Sequence, residues 1–409
     1  MTYLDFIVKS IRTGVAASCA ALAISAPPVA AQSTYTFSVS VDFTGPFADI
    51  MPSWHAGQRA MFAYWNDTKG KELGIKADYK VYDMRYDAAL VASSWPGILA
   101  KDKPIMHLGM GTPDLVSLGK RLPRDEVPMI MPTAMVGLMW APNGWHFSFR
   151  PTYSQEFAAL LAELQKNLPQ KRALRIATVS TQGKPGYEDQ VNGVVHLAKT
   201  YPDRFAMASF VWIEDNPVSA TDRIRTALRD NPDVFIVGAT TAQAVSTLKA
   251  LKELGRRVPI ITSSQNGLPF LVSVLDPADV EGSYSVFAFA PSVEATKAQE
   301  MFKKYHSGQG VWDLSASQAA AQTLLALRTL ERAAKTAGKD KVSGSAMYQA
   351  LLAGPVSSDD MLGLTPAIAF DKSRPFPIGQ VQAKAITVKN KQIVPVGAGW
   401  LPSPELSKW

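Results

Sequence analysis

The segment Asp233-Val-Phe-Ile-Val-Gly238-Ala-Thr-Thr-Ala-Gln-Ala-Val-Ser-Thr-Leu-Lys-Ala-Leu-Lys-Glu-Leu-Gly255 carries two periodicities in succession. Residues 233–238 are an apolar run of the kind found in a strand covered on both faces, which points to a parallel sheet. Ala244, Val245, Leu248, Leu251 and Leu254 then recur at helical spacing, and Gly255 supplies a C-terminal cap. A strand feeding a helix is the unit from which parallel α/β sheets are built.

The same rhythm extends in both directions. Tyr35, Phe37, Val39 and Val41 alternate with polar residues as a strand does, and a turn at Thr44-Gly45-Pro46 leads into a helical pattern from Ser53 to Trp65. Ile75, Ala77, Tyr79 and Val81 form a second alternating run ending at Asp83. Further apolar strands are expected near 104–109, 127–132, 174–180, 206–212 and 258–262, and the longest helix at 313–337. Beyond it, Ile368-Ala-Phe370-Asp371 and Gln380 to Val396 read as strands, with Lys389-Asn390-Lys391 at a hairpin tip. The fold class is therefore α/β with parallel central sheets, closed by a late β-rich segment.

At the N-terminus, Lys9 and Arg12 precede an apolar run from Gly14 to Ile24, and Pro27-Pro28 precede Val29-Ala30-Ala31. That order is the pattern of an export signal, with cleavage expected after Ala31. The run is shorter than the roughly 20 residues that cross a bilayer. Lipid attachment at Cys19 is disfavoured, because Ala16-Ala17-Ser18 lack the usual leucine. Cys19 is the only cysteine, so the exported chain would hold neither disulfide nor cysteine metal site. The 409-residue chain less its signal exceeds what one hydrophobic core organises, so two domains are expected. Removing Lys9, Arg12 and Asp5 takes the net charge from +7 to +6. The charges are scattered, which gives no reason to invoke nucleic acid.

In open parallel sheets, ligands bind beyond the C-terminal ends of strands, where helix N-termini offer free N–H groups. Four segments occupy such places: Asp42 to Phe47, Leu108 to Thr112, Pro132 to Met135, and Gly238 to Thr241. Gly109-Met-Gly111-Thr112 brings backbone amides and a hydroxyl together, but Asp114 stands where a dinucleotide-binding turn needs its third glycine. Helix capping is the competing reading of that turn. There is no Gly-x-Ser-x-Gly elbow, zinc helix or phosphate-binding loop. His55, His107, His146, His196 and His306 fall in five separate elements, so neither a catalytic set nor a metal site is expected. Trp140, Trp145, Phe147, Phe149 and Tyr153 crowd around Arg150-Pro151, either as core or as the wall of a site.

Taken in order, Phe43-Thr-Gly-Pro46, Trp65-Asn66 with Gly70 and Gly74, Tyr82-Asp83, Lys184-Pro-Gly-Tyr187 and the strand ending at Gly238 resemble the type I periplasmic solute-binding proteins, specifically the branched-chain amino acid and amide binders of ATP-driven (ABC) importers. The resemblance covers nearly the whole exported chain. It implies two Rossmann-like lobes joined by three crossovers, near Arg150-Pro151, Phe289-Pro291 and Gly354-Pro355. The signal would be 1–31, lobe 1 residues 32–150 and 290–354, and lobe 2 residues 151–289 and 355–409. It also implies a small-molecule ligand, permease subunits as partners, no cofactor and no chemistry of its own.

Carried over by position, lobe 1 would contact the ligand through Gly111, Thr112, Thr133, Ala134 and Met135, with Phe47 covering them. Lobe 2 would contribute Pro185 or Tyr187, Thr240, and Gln265 or Asn266. The family's amino acid binders usually carry a threonine near Met135 and an acid near Gln265. An amide in place of the acid leaves a ligand ammonium unpaired, which is costly in a buried site. An amide, a urea-like compound or an aromatic acid fits better. A sensor reporting to a membrane receptor, or an exported hydrolase, are the other readings of such a chain.

Overall fold

The computed structural model describes residues 32–132, 136–169, 171–373, 375–377, 379, 381–397 and 399–409. The expected export signal and the expected contacts Thr133, Ala134 and Met135 lie outside the described residues. Two sheets organise the chain. The first runs β2-β1-β3-β4-β5, from β1 (Ser33–Val41), β2 (Ile75–Asp83), β3 (Met106–Leu108), β4 (Met129–Met131) and β5 (His146–Ser148). All of its pairs are parallel.

The second sheet collects β6 (Leu174–Ser180), β7 (Phe205–Trp212), β8 (Val234–Val237), β9 (Ile260–Thr262), β10 (Tyr284–Phe287), β11 (Gln382–Lys389) and β12 (Gln392–Pro395) in the order β12-β11-β10-β9-β8-β6-β7, and β13 (Leu401–Pro402) pairs with β11. Strands β6 to β10 are parallel; β11 and β12 join antiparallel. The late β-rich segment therefore completes a sheet that begins at Leu174. Between β11 and β12, Asn390 and Lys391 both adopt positive φ, 52° and 63°, the two-residue hairpin geometry that matches strand twist.

Residues 314–352 return to the first sheet. The helix Leu314–Ala337 is rich in alanine and leucine and starts where the Asp313 carboxylate accepts the Ala316 N–H at 2.9 Å. It lies so close to the helix Met51–Trp65 that a Cβ on Gly57 would come within 2.3 Å of the Ala316 carbonyl oxygen. Trp65 Nε1 donates to Glu331 at 2.7 Å. Gln322 Nε2 donates to the carbonyls of Gly109 and Ile130, both at 2.8 Å, and so ties the ends of β3 and β4 together.

The chain passes between the sheets after β5, after β10, and once more before β11. The third passage differs from the one expected at Gly354-Pro355. Residues beyond 355 remain against the first sheet: Phe370 packs on Phe147 at 5.1 Å, Phe376 on Trp140 at 5.6 Å, and Ser148 N donates to the Pro375 carbonyl at 2.7 Å. Aromatic packing thus holds the segment until about Pro377. Among the described residues no helix is long and apolar enough to cross a membrane.

Gly57→Ala places a methyl group against a backbone carbonyl that has no room to retreat. It is expected to destabilise the protein by about 1–3 kcal/mol, read as a lowered urea midpoint.

Candidate functional site

The C-terminal ends of both sheets face one partly enclosed cavity with about 510 Å³ of atom-free space. From the first sheet come Phe47, Ile50, Trp54, Tyr86, Met110 and Thr112, joined by Pro132 and by Gln318 of the long helix. The second sheet supplies Tyr153, Gly186, Tyr187, Gln190, Gly238, Ala239 and Gln265.

Each side chain is placed by its local backbone. The turn after β1 is held by Asp42, whose carboxylate accepts the Phe47 N–H at 2.7 Å. A Cβ on Gly45 would fall 1.9 Å from that carboxylate, so the turn requires glycine. Phe47 meets Tyr86 edge-on at 4.9 Å. Arg85 and Tyr86 both take left-handed backbone, φ 51° and 52°. Such a pair costs on the order of 1–2 kcal/mol per residue, and here it turns the Tyr86 ring into the cavity. Gly111 accommodates that ring, since a Cβ there would come within 2.4 Å of it.

The turn Met110-Gly111-Thr112 rests on a buried polar network. Asp114 accepts the N–H groups of Met110 and Gly111 at 2.9 and 3.1 Å with one oxygen, and the Ser40 hydroxyl at 2.6 Å with the other. His107 lies 3.2 Å from both Ser40 and Asp114, and 2.9 Å from Ser38. Burial opposes the Asp114 charge, but the His107, Ser40 and Met110 hydrogen bonds outweigh it and hold the carboxyl below its ordinary range. Ser40, His107 and Asp114 have the residue types of a hydrolytic triad. All three are buried at 2 % exposure or less, where the arrangement braces the turn.

On the other side, Arg150 and Glu156 form a fully buried ion pair, with Nε to Oε1 at 2.6 Å and a second contact from Nη2 to Oε2. Burial works against the Arg150 charge; the Glu156 carboxylate outweighs it and raises the guanidinium above its usual range. Arg150 Nη1 also donates to the Ser264 hydroxyl at 2.6 Å, and the guanidinium lies over the rings of Tyr153 at 4.7 Å and Phe289 at 5.6 Å. Ser264 in turn donates to Gln265 Oε1 at 3.2 Å, and Gln265 Nε2 donates to the Tyr153 hydroxyl. One buried cation therefore orients two cavity side chains from two different elements.

Of the expected contacts, Phe47, Thr112, Tyr187 and Gln265 line the cavity. Gly111 lies beneath Tyr86 and is not itself in the lining. Thr240 and Asn266 are spent on structure. Thr240 caps the helix Thr241–Glu253, accepting the Gln243 N–H at 3.1 Å and donating to the Asp215 carbonyl at 2.6 Å. Asn266 is wholly buried and donates to the Val237 carbonyl at 2.7 Å, joining the ends of β8 and β9. Pro185 opens the helix Pro185–Thr200, and its neighbour Gly186 reaches the cavity. In the aromatic cluster, Trp145 stacks on Tyr348 at 4.4 Å, and Trp145, Phe147 and Phe149 serve packing while Tyr153 serves the cavity.

The structure adds Trp54, Tyr86, Gln190 and Gln318 to the expected set. Trp54 is 2 % exposed, and its Nε1 has no hydrogen-bond partner among the described residues. An unpaired buried donor costs about 1–3 kcal/mol. Gly238 is needed beside Gln190, because a Cβ there would come within 1.9 Å of the amide oxygen. Burial pushes the hydroxyls of Tyr86 and Tyr187 well above the usual phenol range, so both are neutral donors. No described lining side chain is charged, and no cluster of three potential metal ligands occurs among the described residues.

Two α/β lobes, three passages between them and a cavity built from strand ends on both sides define a two-lobed solute receptor. A family model, that of the periplasmic binding proteins, matches residues 34–384, and the chain belongs to that family. Among solved structures, the branched-chain amino acid ABC transporter protein of Thermus thermophilus with bound valine superposes with a TM-score of 0.77 at 18% identity, covering 91% of this chain and 97% of that one. The fatty acid ABC transporter substrate-binding protein of Thermomonospora curvata gives 0.75 at 16% identity, with 90% and 92% covered. A solute-binding protein of R. palustris in complex with 4-hydroxybenzoate gives 0.67 at 15% identity, with 92% and 97% covered. No match is found among curated protein sequences.

Glu156→Gln leaves the Arg150 charge buried without its counter-ion. The expected loss is about 3–5 kcal/mol of stability, measured by chemical denaturation.

Proposed function

We propose that this chain is the solute-capturing subunit of an ATP-driven importer, exported to the periplasm. Its solute is a small aromatic acid or amide-bearing molecule without an ammonium group. Lobe 1, residues 32–150 with 290–377, and lobe 2, residues 151–289 with 381–409, close on that solute and present the closed form to the permease.

The observation that carries this reading is the absence of charge from the described lining, together with its wealth of neutral donors. A zwitterionic amino acid brings an ammonium that would lose its water without gaining a counter-ion. Gln265 stands where an acid would be needed, and its amide is already committed to Tyr153 and Ser264. A planar ring finds Phe47, Trp54, Tyr86 and Tyr187 around it, and an acceptor group finds the Trp54 N–H. The fold is shared with proteins that hold valine and 4-hydroxybenzoate; the uncharged lining favours the second kind of solute.

A thermal-shift panel of amino acids, amides, ureas and aromatic acids tests the proposal. A matching solute at 100 times its dissociation constant stabilises by about 2.7 kcal/mol. Aromatic acids or amides are expected to respond, and leucine and valine are not; strong stabilisation by either amino acid alone would overturn the ligand reading. Trp54→Phe is expected to weaken the responding solute about fivefold, equivalent to about 1 kcal/mol for the lost hydrogen bond.

A further inference from the structure

Tyr187 and Gln190 of the helix Pro185–Thr200 line the cavity, and Asp189 between them reaches the opposite lobe. Its carboxylate accepts the N–H groups of Val136 at 2.9 Å and Gly137 at 3.2 Å, which open the short helix Val136–Met139 after β4. The oxygen that serves Gly137 also accepts the Trp409 indole N–H at 3.2 Å. Trp409 is held on lobe 2 by a tail that packs along the same helix. Ser407 meets His196 at 3.1 Å, Tyr201 donates to the Glu405 carbonyl at 2.9 Å, and a Cβ on Gly193 would come within 2.6 Å of the Trp409 ring. Lys408 reaches the Trp140 carbonyl of lobe 1 at 3.4 Å. Asp189 is 9 % exposed, so its bonds are shielded from water.

We propose that Asp189 is a clasp between the lobes, a positioning residue that sets solute affinity through the closing equilibrium without touching the solute. This extends the solute-capture reading above and rests on it for its purpose. The geometry has two consequences. First, every bond in the clasp joins protein atoms, so it favours closure equally for any solute and adds to whatever differential binding the solute provides. Second, the clasp sits on the helix that carries Tyr187 and Gln190, so forming it brings those side chains to their places over the first-sheet loops.

Small-angle X-ray scattering of the protein without added solute tests the clasp, and the readout does not depend on which solute binds. Asp189→Ala is expected to shift the radius of gyration upward, and Asp189→Asn, which keeps one acceptor oxygen, to shift it less. Val136→Pro removes one donor from the other side while suiting the first position of a helix; it should open the protein as well. Because Asp189→Ala already removes the acceptor of the Val136 N–H, the combination should open it little further than Asp189→Ala alone. Far-ultraviolet circular dichroism identifies a variant that has unfolded, and the other variant then decides. Scattering curves identical to the wild type for folded Asp189→Ala and Val136→Pro would overturn the proposal, as would fully additive opening. Either result leaves the solute-capture reading standing, and failure to find a solute leaves the clasp standing.

Discussion

The buried Arg150–Glu156 pair is the contact on which the cleft depends. Two charges taken fully out of water gain little net stability over an apolar pair of the same volume, so the pair must be judged by what it orients. Glu156 accepts the Ala288 N–H from the second passage between lobes, while Arg150 occupies the first. The planar guanidinium fixes direction as well as distance. It lies over Tyr153 and Phe289 and donates to Ser264, so a single group sets the positions of two passages and of the Gln265 loop.

The opposite wall obeys the same logic with a different device. Asp114, held by Ser40 and His107, fixes the amides of the Met110–Thr112 turn. Full occupation of that carboxylate keeps the turn rigid without leaving a charge in the cavity. Asp114 and Arg150 are thus buried behind the walls, each with its partners, and the surface offered to a solute is aromatic rings, amides, hydroxyls and apolar side chains. An uncharged lining rich in neutral donors selects by shape and by acceptor placement.

The fold was legible because it is written in periodicity. The apolar run at 233–238 becomes β8 and the repeat after it becomes the helix Thr241–Glu253, while the long pattern at 313–337 becomes Leu314–Ala337. The cavity lining was legible only close behind strand ends, as for Phe47, Thr112, Tyr187 and Gln265. Thr240 and Asn266 lie in the right loops but turn their side chains to backbone groups, a choice that spacing does not encode. Tyr86 depends on two consecutive left-handed residues, neither of them glycine, and nothing in Arg85-Tyr86 announces that conformation. Trp54 and Gln318 sit inside helices, where their types read as core. The third passage was misplaced because Gly354-Pro355 has the composition of a linker, whereas the aromatic contacts of Phe370 and Phe376 are invisible until the chain is folded.

The central claim is that the cleft captures an uncharged or anionic organic solute. Native mass spectrometry of the protein purified from its own cells examines it most directly. The account predicts a one-to-one complex with a small organic molecule that lacks an ammonium group, and loss of that added mass when Trp54 and Tyr187 are both replaced by alanine. A stoichiometric complex with leucine or valine, or an added mass that persists in the double variant, would contradict it.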